Sequence, residues 1–484
     1  MRNDFFSVKK TTRPERVFLK ADEVGLRDKC GIFGIFGKGE DVARISFFGL
    51  YSLQHRGQEG AGITITDGKK LKSVKGLGLV SSVFDEKKIE SLKGFAAIAH
   101  TRYSTTGGNK LCNVQPVVLS LKDEDFALAH NGNVINVMDL AQELPSDVKL
   151  SSTSDTEIMG WVIKNSQGKN WEEKIFSSFN KFQGAFSIVA LTKNKLIVFR
   201  DIYGFRPLVL GRLNGSYIAC SETCALDTVG AKFIREIAPG EIVVIDEKGI
   251  HIVGKVKSVK KSFCLFEYVY LARPDSILNK QLVHQVRQRS GEILAHESPV
   301  GADLVVAVPD SGTSAAIGYS KASGIPYGEV LIKNRYIGRT FIQPEQHIRE
   351  MGVRIKFNPL KEIVRGKRII IIDDSIVRGT TMKKIVSVLK SCGAKKIHIR
   401  VCSPPVTDPC YFGIDTPDKK QLIASRMTVK EIEKFVGADS LSFLSLEGLK
   451  KASRIKSNKL CDSCFTGIYP MPVKGGFRKD VFEN

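Results

Sequence analysis

The 484-residue chain has no run approaching 18 uncharged apolar residues, which speaks against a membrane-spanning helix. Its first 29 residues alternate charges with single apolar residues and lack an apolar block of seven, so no secretory signal is expected. No Gly-x-x-x-x-Gly-Lys-Ser/Thr occurs, and this excludes a Walker-type nucleotide loop. There is no repeat at solenoid periods and no low-complexity tract. Ten cysteines do not make a disulfide scaffold at this length. The expected compartment is the cytoplasm, with no membrane partner. The 42% apolar and 26% charged content is that of a globular protein of two or three domains.

What is abundant is positive charge: 73 Lys+Arg against 51 Asp+Glu give +22. The basic residues are spread along the chain rather than gathered in an arm, so nucleic acid is not the expected partner. Anionic small substrates or a lysine-rich surface remain. Two textures divide the chain. From Cys30 to about residue 258, short strands alternate with glycine-rich turns, and helices are expected near Asp155–Asn165 and Trp171–Phe182. A lysine-rich stretch, Lys255–Lys261, is either a connector or a charged surface strand. Beyond it, apolar β-branched runs at Leu304–Val308, Ile369–Ile372 and Lys396–Val401 alternate with helical stretches at Thr313–Ala322 and Thr380–Ser391. That alternation predicts a parallel sheet with helices on both faces, and ligands at the strands' carboxyl ends.

The segment from Lys367 to Thr381 is the most informative. Four isoleucines predict a buried strand whose end presents Asp373 and Asp374; a glycine-containing loop then opens a helix with hydroxyls in its first turn. Free N–H groups at a helix start suit a phosphate, and carboxylates suit vicinal sugar hydroxyls. The segment resembles the phosphoribosylpyrophosphate (PRPP) signature of type I phosphoribosyltransferases. The resemblance assigns the ribose to Asp373 and Asp374, and the phosphate to Ser375, Arg378, Gly379, Thr380 and Thr381. Upstream, the small-residue turn Asp310-Ser311-Gly312 suits close backbone approach to a pyrophosphate. The stretch from Lys333 and Arg335 to Gln346 is similar to the mobile lid of one phosphoribosyltransferase family. Mg²⁺ is expected at Ser311, Asp373 and Asp374.

In the first half, Cys30 begins Cys-Gly-Ile-Phe-Gly-Ile-Phe-Gly. It is followed in order by segments around Arg56, at His100-Thr-Arg102-Tyr103-Ser104, at His130-Asn131-Gly132-Asn133 and at Ser154-Asp155-Thr156-Glu157. Together these resemble class II glutamine amidotransferases, which are N-terminal-nucleophile hydrolases. The resemblance implies that residues 1–29 are a propeptide whose removal gives Cys30 both a thiol and a free α-amine. That leader carries +3, leaving +19 of the whole-chain +22; Asp28 fits the family's processing pattern, and Lys29 departs from it. Asn131 and Gly132 become oxyanion donors, while Arg56, Arg102 and Asp155 become glutamine ligands.

Four cysteines have family-like contexts: Cys264, Cys410 and the pair Cys461-Asp-Ser-Cys464. Four thiolates suit Zn²⁺ or an iron–sulfur cluster, and spacing does not decide between them. The two halves joined resemble the glutamine phosphoribosylpyrophosphate amidotransferases, whose iron–sulfur branch carries a [4Fe–4S] cluster at these places. The expected fold is an α+β N-terminal-nucleophile glutaminase domain with packed β-sheets and flanking helices (30–258). It is joined to an α/β type I phosphoribosyltransferase domain with a parallel sheet (259–456), and a tail (457–484) carries two cluster cysteines. Glutamine and PRPP are the implied substrates, purine nucleotides the implied feedback inhibitors, and a homotetramer the implied assembly. Ammonia is expected to pass internally, with Tyr268 or Tyr270 beside its path. A sugar-phosphate aminating enzyme would need no PRPP loop, and a nucleic-acid-binding regulator would need no glutaminase motifs.

Overall fold

The computed structural model describes residues 30–103, 109–120, 124–258, 260–333, 357–416 and 418–473. The expected propeptide 1–29, Ser104, Arg335 and the 334–346 part of the expected lid lie outside the described residues.

The first half stacks two antiparallel sheets between helices. Gly31–Phe36 is central in a seven-stranded sheet, flanked by Ser216–Cys220 and Ala96–Arg102. Phe126–Val134, Gly184–Leu191 and Leu196–Arg200 are neighbours in a six-stranded sheet. Strand alternation sets the layers. Ile32 and Phe36 join the inter-sheet core with Ala127, Val189 and Val198, whereas Phe33 and Ile35 pack with Val42 and Leu50 of helix Val42–Ser52. Burying each such side chain stabilises the fold by roughly 1.5–3 kcal/mol. Gly34 permits the close approach of the sheets, since a Cβ there would lie 3.0 Å from Leu196 Cδ1. Helices Asp155–Lys164 and Trp171–Ser178 cover the second sheet's outer face through Ile158, Val162 and Ile175.

The second half is the expected parallel sheet, with strand order Leu304–Ala307, Arg368–Asp373, Lys396–Val401 and Ser440–Phe443. The isoleucine run is continuous because both faces are covered. Ile370 and Ile372 pack with Ala315 and Tyr319, while Ile369 and Ile371 pack with Met382, Ile385 and Leu389. Those last three recur at helical spacing on Thr380–Ser391, so one stripe of that helix faces the sheet. Helices Val283–Glu297 and Thr313–Ser323 approach closely at two glycines. A Cβ on Gly291 would sit 1.9 Å from Ala315 O, and one on Gly318 would sit 2.0 Å from Gln288 O.

Strand Ser440–Phe443 and helices Val42–Ser52 and Val283–Glu297 had no counterpart in the sequence reading. Ser440–Phe443 has only four residues, and Val283–Glu297 interrupts its apolar stripe with Arg287 and Ser290, both buried. Lys255 closes strand Gly249–Lys255, and the described residues between it and Phe263 have no regular structure. Short strands Phe263–Cys264 and Leu460–Cys461 pair in parallel and bring the tail to the seam between the halves.

Candidate functional site

Two sites form, one in each half. In the first, Cys30 sits immediately before the central strand and is 6% exposed, with its Sγ 3.5 Å from Tyr103 O as a donor. Burial pushes its thiol up to about 11, against the opposing pull of the Tyr103 contact and the Arg102 charge. A thiol so placed is protonated at neutral pH and needs a base before it can attack.

Asn131 and Gly132 lie on Phe126–Val134, in the facing sheet. Asn131 is fully buried; its Nδ2 is 3.5 Å from Ser221 Oγ, and its Oδ1 has no hydrogen-bond partner among the described residues. Ser221 also accepts Ile32 N–H at 3.0 Å, so it links this strand to the one that follows Cys30. Gly132 has φ +155, and a Cβ there would meet Ala185 O at 1.9 Å, so only glycine fits. Buried polar atoms with loose or missing partners are what a site awaiting a substrate presents.

Arg102 is 2% exposed and donates to Asn113 O at 2.7 Å. Asp155 opens its helix and accepts from Val134 N–H at 3.2 Å, with His130 Nδ1 3.5 Å away. Burial would raise its pKa, but His130 and the Val134 N–H together hold it below the usual carboxylate range. His100 Nε2 donates to His130 O at 3.2 Å; burial, then the Arg102 charge, hold its pKa down at about 3, so it stays neutral.

Arg56 requires a correction. It is 1% exposed, and its Nε donates to Cys30 O at 3.2 Å. Its Nη atoms pair with Glu222 and, at 3.1 Å, with Glu267. A guanidinium committed to two buried carboxylates is not placed to hold glutamine; it holds the backbone of the cysteine. Glu267 also pairs with Arg206 at 3.3 Å, and Glu222 accepts from Ser276 Oγ at 2.6 Å and from Arg273 N–H at 2.9 Å. Sequence reasoning missed Ser221, Glu222, Glu267 and Arg206, because each acquires its role from a partner tens to hundreds of positions away.

The second site lies at the carboxyl ends of Leu304–Ala307 and Arg368–Asp373, joined there by Val308 N–H to Ile372 O at 2.9 Å. Asp374 N–H donates to Asp373 Oδ1 at 3.0 Å; Ser311 Oγ and Ser375 Oγ each donate to Asp374 at 3.2 Å. Burial and the adjacent Asp374 charge raise the Asp373 pKa, so this pair favours a cation or a hydroxyl donor beside it. Gly379, at φ +75, turns the chain into helix Thr380–Ser391, whose start has no side-chain cap. Thr380 and Thr381 stand exposed there. Gly312 brings its backbone against the sheet, where a Cβ would lie 2.4 Å from Ile372 O. Lys333 pairs with Asp310 at 2.5 Å, and Arg378 donates to Gln421 at 2.7 Å. Arg335 lies outside the described residues.

Between the sites runs the one-turn π-helix Glu267–Leu271. Arg287 pins it by donating to Tyr268 O at 2.7 Å and to Ala272 O at 2.8 Å, and it feels the charges of both Asp374 and Glu222. Tyr268 is buried with its hydroxyl on Leu278 O at 2.6 Å, whereas Tyr270 is half-buried.

The four cysteines meet at the seam. Cys264 is in register with Cys461, and Cys464 is within electrostatic reach of Cys264, Cys410 and Cys461. Arg206 reaches Cys410 Sγ at 3.9 Å, and Phe412 N–H donates to it at 3.4 Å. Burial raises the pKa of all four thiols. Among the described residues no three acidic, histidine or cysteine side chains converge closely enough to hold one metal ion. In number and softness the quartet fits a cluster, whose several irons keep the ligand sulfurs farther apart than a single ion does.

Residues 100–228 match the glutamine amidotransferase domain family, and residues 275–406 match the phosphoribosyl transferase domain family. The amidophosphoribosyltransferase of Synechococcus elongatus is 48% identical, with 92% of each chain covered. That of Bacillus subtilis is 46% identical, covering 94% of this chain and 96% of its own. The solved structure of B. subtilis glutamine PRPP amidotransferase complexed with ADP and GMP is also similar. It superposes with a TM-score of 0.88 at 45% identity, covering 93% of this chain and 99% of that one. Two sites of different chemistry in one chain, matched over nearly its whole length by relatives that carry both, place it: the chain belongs to the amidophosphoribosyltransferase family.

Proposed function

We propose that the protein converts glutamine, PRPP and water to 5-phosphoribosylamine, glutamate and pyrophosphate, the first committed step of purine synthesis. The observation that carries this reading is the pairing, in one chain, of two features: a buried cysteine before a strand that Ser221 ties to Asn131 of the other sheet, and an acidic pair before an uncapped helix start. Residues 30–258 serve as the glutaminase and 259–456 as the phosphoribosyl-transfer unit.

Removal of residues 1–29 gives Cys30 an α-amine with an ordinary pKa of about 7.7–8.0, close enough to neutrality to take the thiol proton. The thiolate attacks the glutamine side-chain carbonyl, and Asn131 Nδ2 with Gly132 N–H donate to the oxyanion. One such donor is commonly worth about 10²–10³ in rate. The tetrahedral intermediate expels ammonia, and water hydrolyses the thioester to glutamate. Arg102 holds the substrate α-carboxylate through its fork of donors, and Asp155 holds the α-ammonium. In the second site Asp373 and Asp374 hold the ribose hydroxyls, and the Ser375–Thr381 loop holds the 5′-phosphate. The pyrophosphate falls to Asp310, Ser311, Gly312, Lys333 and Arg335. The hard oxygens of Ser311, Asp373 and Asp374 fit Mg²⁺, which when bound makes pyrophosphate a better leaving group. Ammonia attacks the ribose C1 carbon as pyrophosphate departs. A passage inside the protein keeps ammonia from protonation in water, with Tyr268 or Tyr270 beside its path.

Cys264, Cys410, Cys461 and Cys464 hold a [4Fe–4S] cluster that ties the tail to both halves. Purine nucleotides act as feedback inhibitors, the active form is a homotetramer, and the enzyme works in the cytoplasm. No helix among the described residues is long and apolar enough to cross a membrane. The test is glutamate and pyrophosphate release by anaerobically purified protein with Mg²⁺, with and without PRPP. Stoichiometric, PRPP-dependent release of both supports the reading. Cys30→Ala is expected to abolish glutamine use and to keep ammonia-dependent synthesis; equal loss of both activities overturns the two-site scheme.

A further inference from the structure

One edge of strand Phe126–Val134 presents the backbone N–H groups of His130, Gly132 and Val134, and the outer two are spent. His130 N–H donates to Gln115 Oε1 at 2.7 Å, and Val134 N–H donates to Asp155 Oδ2 at 3.2 Å. Gly132 lies between them. Its partner in register, Phe186, turns both backbone groups the other way, accepting from Asp201 N–H at 2.8 Å and donating to Asp201 Oδ2 at 3.1 Å. Antiparallel ladders alternate bonded and non-bonded pairs, so Gly132 stands at a non-bonded position and its N–H points to the open edge.

The groups that hold this peptide come from the other half of the chain. Gly413 is buried at φ +101, and a Cβ there would lie 2.8 Å from the Gly132 carbonyl carbon, 2.9 Å from its O and 3.0 Å from its Cα. The two backbones therefore touch on the carbonyl side of Gly132. Three further contacts fix the bend at 411–413 that carries Gly413. Asn133 Nδ2, beside Gly132, donates to Tyr411 O at 2.8 Å. The fully buried Arg206 donates through Nε to Phe412 O at 2.9 Å, and its carbonyl accepts at 3.2 Å from Ser187 Oγ, whose residue is in register with Asn131. The Phe412 ring stacks on Phe205, with centroids 4.3 Å apart and planes 14° apart.

We propose that the 411–413 bend is a positioning element of the glutaminase site, fixing the Gly132 peptide so that its N–H meets the oxyanion of the tetrahedral intermediate. This rests on the oxyanion role proposed above for Gly132. A donor aimed in advance costs no reorganisation when charge develops on the carbonyl oxygen, so its displacement loses rate rather than ground-state binding. Gly413 is thus required by contact as well as by its φ, because any side chain there pushes on Gly132. The second half of the chain supplies one wall of the glutamine site.

The test is steady-state glutamine hydrolysis by whole, anaerobically purified Gly413→Ala protein with PRPP and Mg²⁺. Its kcat is expected to fall at least about tenfold, while the glutamine KM and ammonia-dependent synthesis each stay within about twofold. Cys30 alkylation by iodoacetamide is expected to keep its wild-type rate, since that reaction forms no oxyanion. Asn133→Ala, which frees Tyr411 O without adding an atom, is expected to lower kcat in the same sense and decides the matter where Gly413→Ala does not fold. An unchanged kcat in a folded variant overturns the proposal, and so does a raised glutamine KM at unchanged kcat. Equal loss of ammonia-dependent synthesis also overturns it, as the mark of general unfolding. Wild-type protein that fails to hydrolyse glutamine removes the glutaminase reading and this proposal with it, whereas active wild type beside equally active variants removes this proposal alone.

Discussion

Individual side chains in the first site divide into those proposed to face a substrate and those that hold others still. Cys30 is a protonated thiol by virtue of its burial, so under the proposed removal of residues 1–29 its reactivity should depend on the α-amine so exposed. Peptide mapping after brief iodoacetamide treatment at pH 7.5 is expected to show Cys30 alkylated in processed protein and spared while residues 1–29 remain; the exposed Cys112 serves as the internal control. Arg56 belongs to the holding group. Arg56→Met would leave Glu222 and Glu267 as uncompensated buried charges, and breaking such a pair costs about 3–5 kcal/mol. A loss of that size in urea denaturation, with the glutamine KM little changed in the protein that folds, would separate this role from substrate binding. A raised KM with unchanged stability would restore Arg56 as a glutamine ligand.

One buried acid carries a pH signature. Burial raises Asp201 to about 6, against an ordinary value near 3.9, so its folded form prefers the proton. A raised carboxylate pKa contributes stability that is full below the unfolded value and is lost as pH climbs through the folded one. The difference in unfolding free energy between wild type and Asp201→Asn should therefore shift by about 2 kcal/mol against the wild type from pH 4 to pH 7. A flat difference over that window would mean that Arg200 keeps Asp201 ionised throughout.

Among elements, the strand-to-helix turn of the second site carries the most. Gly379 sits at φ +75, and a Cβ would also approach Ile423 Cδ1 at 2.9 Å, so Gly379→Ala strains the backbone and displaces its packing together. The first turn of Thr380–Ser391 would then tilt from its phosphate. The PRPP KM is expected to rise at least tenfold while PRPP-independent glutaminase activity stays within about twofold. Equal loss of both activities would point instead to general unfolding. The legibility of this element in the sequence has a simple cause: strand, turn and helix are contiguous, and each has a strong local signature. Helix Val283–Glu297 was not legible, because Arg287 and Ser290 occupy positions in its buried stripe. Arg287 is tolerated there since Tyr268 O and Ala272 O satisfy it, and that compensation is visible only after folding.

For the whole molecule, a buried ion network and a short strand pair run along the seam. Arg56, Glu222, Glu267 and Arg206 run as a buried ion network from the Cys30 carbonyl to the Cys410 sulfur. Cys464→Ser is expected to lower iron and sulfide below four per chain and to depress Tm, because the pairing of Phe263–Cys264 with Leu460–Cys461 is short and relies on what lies beside it. Unchanged iron content would remove Cys464 from the ligand set.

The linear chain determined the strand and helix textures of the two halves, the acidic pair with the glycine turn that follows it, and the cysteine before the central strand. Each rests on neighbours within about ten residues, where periodicity and turn chemistry act. Tertiary structure alone decided that Arg56 holds the Cys30 backbone and two buried carboxylates, and that Ser221 ties Asn131 to the strand after Cys30. These depend on contacts across tens to hundreds of residues, and desolvation, which sets the energy of buried charges, exists only once the halves have packed together.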